Sequence, residues 1–357
     1  MPILVQKSAA VMKEQGTPGK RKVLGLESGS LAVQEPGPKT ATPNITVHDV
    51  ICMGTLCKQD VGDGMRFTVV RGVICVLVAG LVFLVLLRVT SRTSAIPTRV
   101  LQAFIDWQLC MTARFDSKKD EPEKLWEEFA EMTKYCTSNT DVSKIKLIEL
   151  PNDDEVKHYI LSQDATDPSV VVSLGIGADI KVEQQLKELL PEGSEFFGAD
   201  PVTTPNADLY GQVGMFFPLA VSDHSGHSKA HIRLDNNEYK YMPVVHIDIG
   251  TFFTKMVNRT HIDHMILDNE GPEYQLIPMI AIDNVFAEEN IAICHMNVEF
   301  HAPGPKTRYD EFVEVMQGVL RVGRFAAIHN ENFGHQRMFL INYEDPYCVS
   351  KYLEQFF

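Results

Sequence analysis

No GxxxxGK[ST] loop occurs anywhere in the chain, which excludes a P-loop nucleotide site. No CxxC pair and no Cys/His cluster has zinc spacing, so no structural metal is expected. Internal repeats are absent. Basic residues are scarce: 33 Lys+Arg stand against 47 Asp+Glu, a net charge of -14. The shortage lies after residue 88, where 23 basic residues face 41 acidic ones. A surface that acidic repels phosphate backbones and argues against nucleic acid as a partner.

What is present begins with length. A chain of 357 residues can bury a large core, and 45% apolar with 22% charged residues is ordinary for a globular protein. One run is not ordinary. "RGVICVLVAGLVFLVLLR" holds uncharged residues from Gly72 to Leu87 between Arg71 and Arg88. As a helix it spans about 24 Å, and snorkelling arginines extend it. Residues 67–89 are therefore read as a transmembrane signal anchor; a buried soluble helix and a cleaved signal peptide are the alternatives. Residues 1–66, rich in Gly, Pro, Thr and Lys, read as a disordered tail, with Met65 a natural start for the anchor. Flanking charges tie on the positive-inside count. Glycan on the Asn258-Arg-Thr260 sequon, and not on Asn44-Ile-Thr46, would make this a type II protein with its domain in the Golgi or endoplasmic reticulum lumen.

Cysteine usage fits that placement. Cys110 and Cys136 fall on neighbouring predicted helices and could pair, whereas Cys294, inside an apolar strand, is expected to be a free buried thiol.

Residues 90–150 read as a helical stem packing on the domain. Pro97 opens a helix with Val100, Leu101, Phe104, Ile105 and Trp107, and Pro122 opens a second with Leu125, Trp126, Phe129 and Met132. From 151 to 357 strands alternate with helices, and the strands are continuous apolar runs. That predicts an α/β domain with a Rossmann-like, doubly wound, mostly parallel sheet.

Ligands in such a sheet sit at the carboxyl ends of the strands, where strand order reverses. The stretch "VVVSLGIGADI" ends a strand in Gly175 and Gly177, which permit close backbone approach. Alone it is a weak signal, since any strand-to-helix turn can carry two glycines. Asp200, at the tip of the next strand in "EFFGADP", is placed to accept ribose hydroxyls. The GxGxxG of a dinucleotide site is incomplete, and Asp179 falls where a pyrophosphate would lie. A ligand without phosphates, such as cationic S-adenosylmethionine, suits the loop better. Further on, "ILDNEGPEY" places Asp268, Glu270 and Glu273 at one strand end, and "NVEFH" places Glu299 and His301 at the same edge. A histidine or a carboxylate with raised pKa there could accept a hydroxyl proton, and Asp268 with Glu299 could alternatively hold a divalent metal.

The segments "SLGIG", "EFFGADP", "FPLAVSDHSG", "ILDNEGPEY" and "ICHMNVEFH" resemble the FkbM-type methyltransferases, most closely a nematode branch with an amino-terminal membrane anchor. The likeness runs from about Val156 to Phe357, and its hallmark is Asp268-Asn-Glu270-Gly271-Pro-Glu273. It implies a methyltransferase fold of class I type and S-adenosylmethionine-dependent O-methylation. By that likeness Ser173, Gly175, Gly177 and Asp200 fall on cofactor positions, Ala220 and Val221 fall beside the adenine, and His301, Glu270 and Asp268 are the catalytic candidates. Many members carry Asp at the Ser173 position and Gly at the Asp179 position. The function expected is methylation of a hydroxyl on a small molecule or glycan in the secretory pathway. A non-catalytic, membrane-tethered module of the same fold and a lumenal NAD(P)-dependent reductase are the alternatives.

Overall fold

Two helices lead into the domain in the computed structural model, which describes residues 96–233, 238–302 and 307–357. All lie in one compact unit, Leu77–Phe357. The expected tail (1–66), the signal anchor (67–89) and the Asn44 sequon lie outside the described residues. Among the described residues no helix is long and apolar enough to cross a membrane.

Helix α1 (Thr98–Asp116) starts behind Pro97, and α2 (Pro122–Ser138) starts with its proline, whose missing N–H costs nothing in a first turn. Each buries one stripe: Phe104, Trp107 and Met111 on α1, and Leu125, Phe129 and Met132 on α2. The Cys110–Cys136 disulfide joins them, as their positions suggested.

A short antiparallel pair, β1 (Ile148–Pro151) and β2 (Val156–Tyr159), precedes the main alternation. It runs β3 (Val170–Leu174), α3 (Lys181–Leu189), β4 (Glu195–Ala199), α4 (Asn206–Tyr210) and β5 (Met215–Phe217). Pro218 ends β5, so "MFFPLAV" is not one strand but two; proline has no N–H for the ladder. An inserted three-stranded sheet follows, with β6 (Ala220–Ser222), β7 (Gly226–Arg233) and β8 (Tyr239–Asp248) in the order β6-β8-β7. Then come α5 (Ile249–Thr251, widening into π-helical turns to Val257), β9 (His261–Leu267), α6 (Glu273–Ile277) and β10 (Ala292–Phe300). Finally α7 (Thr307–Val322), β11 (Phe325–Asn332), β12 (Gln336–Asn342) and α8 (Pro346–Cys348) close the fold.

The central sheet has the order β11-β12-β10-β9-β3-β4-β5, and only β12 runs antiparallel to its neighbours. From β3 the chain winds outward through β4 and β5, then returns to lay β9 and β10 on the other side. Strand order therefore reverses between β3 and β9. Val171, Val172 and Leu174 of β3 are fully buried, as a strand covered on both faces requires. The stem helices share this core: Phe104 stacks on Tyr343 at 4.4 Å, and Trp126 and Phe129 meet Phe312 edge-on at 4.8 and 5.2 Å.

Cys294 is not a free thiol. It forms a disulfide with Cys348, tying β10 to α8. The partners are 54 residues apart, and only the return of the C-terminal segment across the sheet brings them together.

Candidate functional site

A pocket of about 1390 Å³ opens at the carboxyl ends of the strands, at the reversal point. One side is the loop after β3. Gly175 (φ +84°) lies against the end of β9, where an added Cβ would come within 1.9 Å of the Asp268 carbonyl oxygen. This glycine is required by chain crossing. Gly177 (φ +61°) has open space around its missing Cβ and borders the pocket. Between the glycine loop and α3, Ala178 also takes a left-handed φ of 63°, unusual for a side-chain-bearing residue. Its amide is held by Asn206 Oδ1 at 2.9 Å.

Asp200 serves this loop directly. Its Oδ2 accepts the Ile176 amide at 2.8 Å and the Gly177 amide at 3.3 Å, while Oδ1 accepts the Val202 amide at 2.7 Å. Burial raises its carboxyl above the ordinary value, against the pull of those amides. The residue expected on a ribose is thus also the brace of the glycine loop. Asp179 is half-buried and accepts the Lys181 and Asp153 amides.

Three expected cofactor positions stand outside the pocket wall. Ser173 is fully buried and faces the core, bonded to Glu183 and Tyr210. Ala220 and Val221 lie on β6, where the Val221 carbonyl accepts Asn269 Nδ2–H at 3.1 Å. Asn269 thereby joins the inserted sheet to the turn after β9.

The opposite side gathers charge. His301 Nε2 lies 3.5 Å from Asp268 Oδ1 and 3.3 Å from Glu270 Oε2, and its Nδ1 lies 3.3 Å from Glu273 Oε1. Glu273 is completely buried and also accepts the Asn269 amide at 2.8 Å. All three catalytic candidates are therefore brought together. Burial alone would lower the His301 pKa; the Glu273, Asp268 and Glu270 carboxylates outweigh it and push it up to about 10. At neutral pH this ring carries a proton, so it cannot take one. Glu270, held at φ +57°, has a carboxyl raised by burial. The arm formed by β7 and β8 reaches it through a Tyr239 hydrogen bond and through His231, at 3.9 Å.

Behind these stands a second ring of side chains. Glu299 is buried, and burial together with the Asp268 and Glu155 carboxylates pushes its pKa up to about 7. Arg337 on β12 reaches Glu299 at 3.3 Å and Glu155 at 3.6 Å, and buried Lys157 on β2 pairs with Glu155. His335 Nδ1 accepts the Ala302 amide at 2.9 Å. The sequence places Glu299 at this edge without singling it out among the acids there. Glu155, Lys157, Arg337 and His335 carried no sequence signal, because two hairpins far apart in the chain, β1–β2 and β11–β12, bring them here.

Among the described residues, three sets of donors lie close enough to share a cation: Glu299, His301 and His335; Asp268, Glu270 and His301; and Glu155, Asp268 and Glu299. A protonated His301, with Lys157 and Arg337, already supplies positive charge there.

Comparison with curated proteins finds no match. Among solved structures, the crystal structure of an rRNA methylase from Escherichia coli matches at 12% identity with a TM-score of 0.26, over 49% of this chain. The chain spans 58% of that structure's length, and a likeness so slight carries no argument. The family comparison is decisive. Residues 114–344 match the Methyltransferase FkbM domain, and the chain belongs to the FkbM methyltransferase family.

Proposed function

We propose that this protein transfers a methyl group from S-adenosylmethionine to a hydroxyl, with a glycan or small polyol as acceptor, on the lumenal side of the secretory pathway. The observation that carries the reading is one pocket with two unlike sides: a glycine loop open at Gly177, and a group of acids within ion-pair reach of His301. The loop side fits this donor. Asp153, Asp154, Asp179 and Asp200 line it, which repels a pyrophosphate and accommodates a phosphate-free cation.

When bound, the donor supplies an electrophilic methyl on a sulfonium, so the protein needs only to align an oxygen and receive its proton. Protonated His301 fixes Asp268 and Glu270 and can donate to the acceptor oxygen. Glu299, with a pKa near neutrality, is the group suited to take the proton, and Arg337 can stabilise the carboxylate before transfer. His301 thus moves from proton acceptor to positioning group.

Lumenal placement is supported by two disulfides, which persist in oxidising compartments, and by the exposure of Asn258 in its sequon. The test of function is direct. Full-length protein in detergent, given S-adenosylmethionine and a mixture of released N- and O-glycans, should form S-adenosylhomocysteine together with methylated glycan. Methylation of protein side chains instead would refute the acceptor class, and no product with any hydroxyl acceptor would refute the activity.

A further inference from the structure

Ser173 departs from the pattern of its loop, and the fold shows what stands in for the missing acid. Its hydroxyl lies 2.5 Å from Glu183 Oε1 and 3.3 Å from the Tyr210 hydroxyl, all three groups being buried. Glu183 comes from the first turn of α3, ten residues along, yet it forms part of the pocket wall beside Gly175 and Gly177. A carboxylate has therefore been kept under the glycine loop and supplied from the helix instead of the strand.

This carboxylate is under-paired. Glu183 is 4% exposed, and among the described residues no Lys, Arg or His lies within ion-pair distance of it. Lys157 acts on it only from farther away and is itself paired with Glu155. What Glu183 receives is the Ser173 hydroxyl, its own backbone N–H and the positive end of α3. Burial raises its carboxyl above the ordinary value, so the ionised form needs an opposite charge to meet it, and the open direction is the pocket. We propose that Glu183 recognises the ammonium group of the methionyl part of S-adenosylmethionine. The proposal rests on the methyl-donor reading above. Ser173 and Tyr210 then act as positioning residues, holding the carboxylate from behind.

The alternative is that Glu183 only ties α3 to β3. Calorimetric titration of the full-length protein with S-adenosylmethionine, S-adenosylhomocysteine and 5′-methylthioadenosine separates the two. Only the first two ligands carry the ammonium. Glu183→Gln keeps the shape and the Ser173 hydrogen bond, so its ligand-free melting temperature should stay close to the parent's. It should weaken both ammonium-bearing ligands at least tenfold and leave 5′-methylthioadenosine unchanged. If Glu183→Gln does not fold, Glu183→Asp, which withdraws the charge by one methylene, should show the same ligand pattern. Unchanged affinity for all three ligands overturns the proposal, and so does equal weakening of all three, which would mark a loop brace. Parent protein that binds none of the three overturns the donor reading itself.

Discussion

On the β3–β4 side of the pocket, polar groups are answered by backbone; on the β9–β10–β12 side they are answered by other side chains. Asp200 spends its carboxylate on three amides, and Asn206 holds a fourth. His301, by contrast, faces three carboxylates, and Glu299 faces Arg337. The first arrangement fixes a shape and the second holds protons. A methyl transfer needs both, one to seat the donor and one to manage the acceptor hydroxyl.

The two sides touch at Gly175, so its replacement should have the largest effect. Gly175→Ala places a Cβ on the Asp268 carbonyl at a left-handed φ, and should cost on the order of 3 kcal/mol or more, read as a fall in melting temperature. Gly177→Ala, with open space, should cost only about 1 kcal/mol. Equal costs would contradict the distinction between a crossing glycine and a pocket glycine.

Glu299→Gln should lower methyl transfer on the order of 100-fold while S-adenosylmethionine binding persists. In the parent, turnover should rise as pH increases through about 7, where the Glu299 carboxyl ionises, and this limb should vanish in the variant. A limb that survives assigns the proton to another group.

Stability should respond to pH in opposite directions from two kinds of histidine. His158 and His264 are held neutral by burial, with pKa values lowered to about 4 and about 3 from 6.5. The unfolded chain binds the extra protons, so their contribution is present above about 6.5 and is lost as pH falls below it. His301, raised to about 10, contributes stability fully present below about 6.5 and lost as pH rises toward 10. Denaturant melts from pH 5 to 10 should therefore show a maximum near neutrality, and His301→Asn should flatten only the alkaline side. The smallest effect belongs to Asp179→Asn. Asp179 accepts the Lys181 amide at the start of α3 from a half-buried position at the pocket rim, and the change should cost less than about 1 kcal/mol.

The contrast between the sides also explains what could be read in advance. The loop, Asp200 and the run from Asp268 to Glu273 are each local in sequence, so residue type and spacing expose them. Glu155, Lys157, Arg337 and the Cys294–Cys348 pair come from segments far apart, and only the folded sheet makes them neighbours. Protonation was equally hidden, because His301 acquires its charge from three carboxylates whose approach depends on α6 and the β9 turn. Ser173 was visible as an irregularity, while the Glu183 behind it was not, since an acid in a first helical turn is ordinary.

The central claim is that the glycine loop seats a phosphate-free adenosyl cation. Calorimetric titration of the full-length protein with S-adenosylmethionine and, separately, NADH tests it most directly. Saturable binding of one S-adenosylmethionine per chain, with no heat from NADH, is the expected result. Binding of NADH in place of S-adenosylmethionine, or of neither at millimolar ligand, would contradict it.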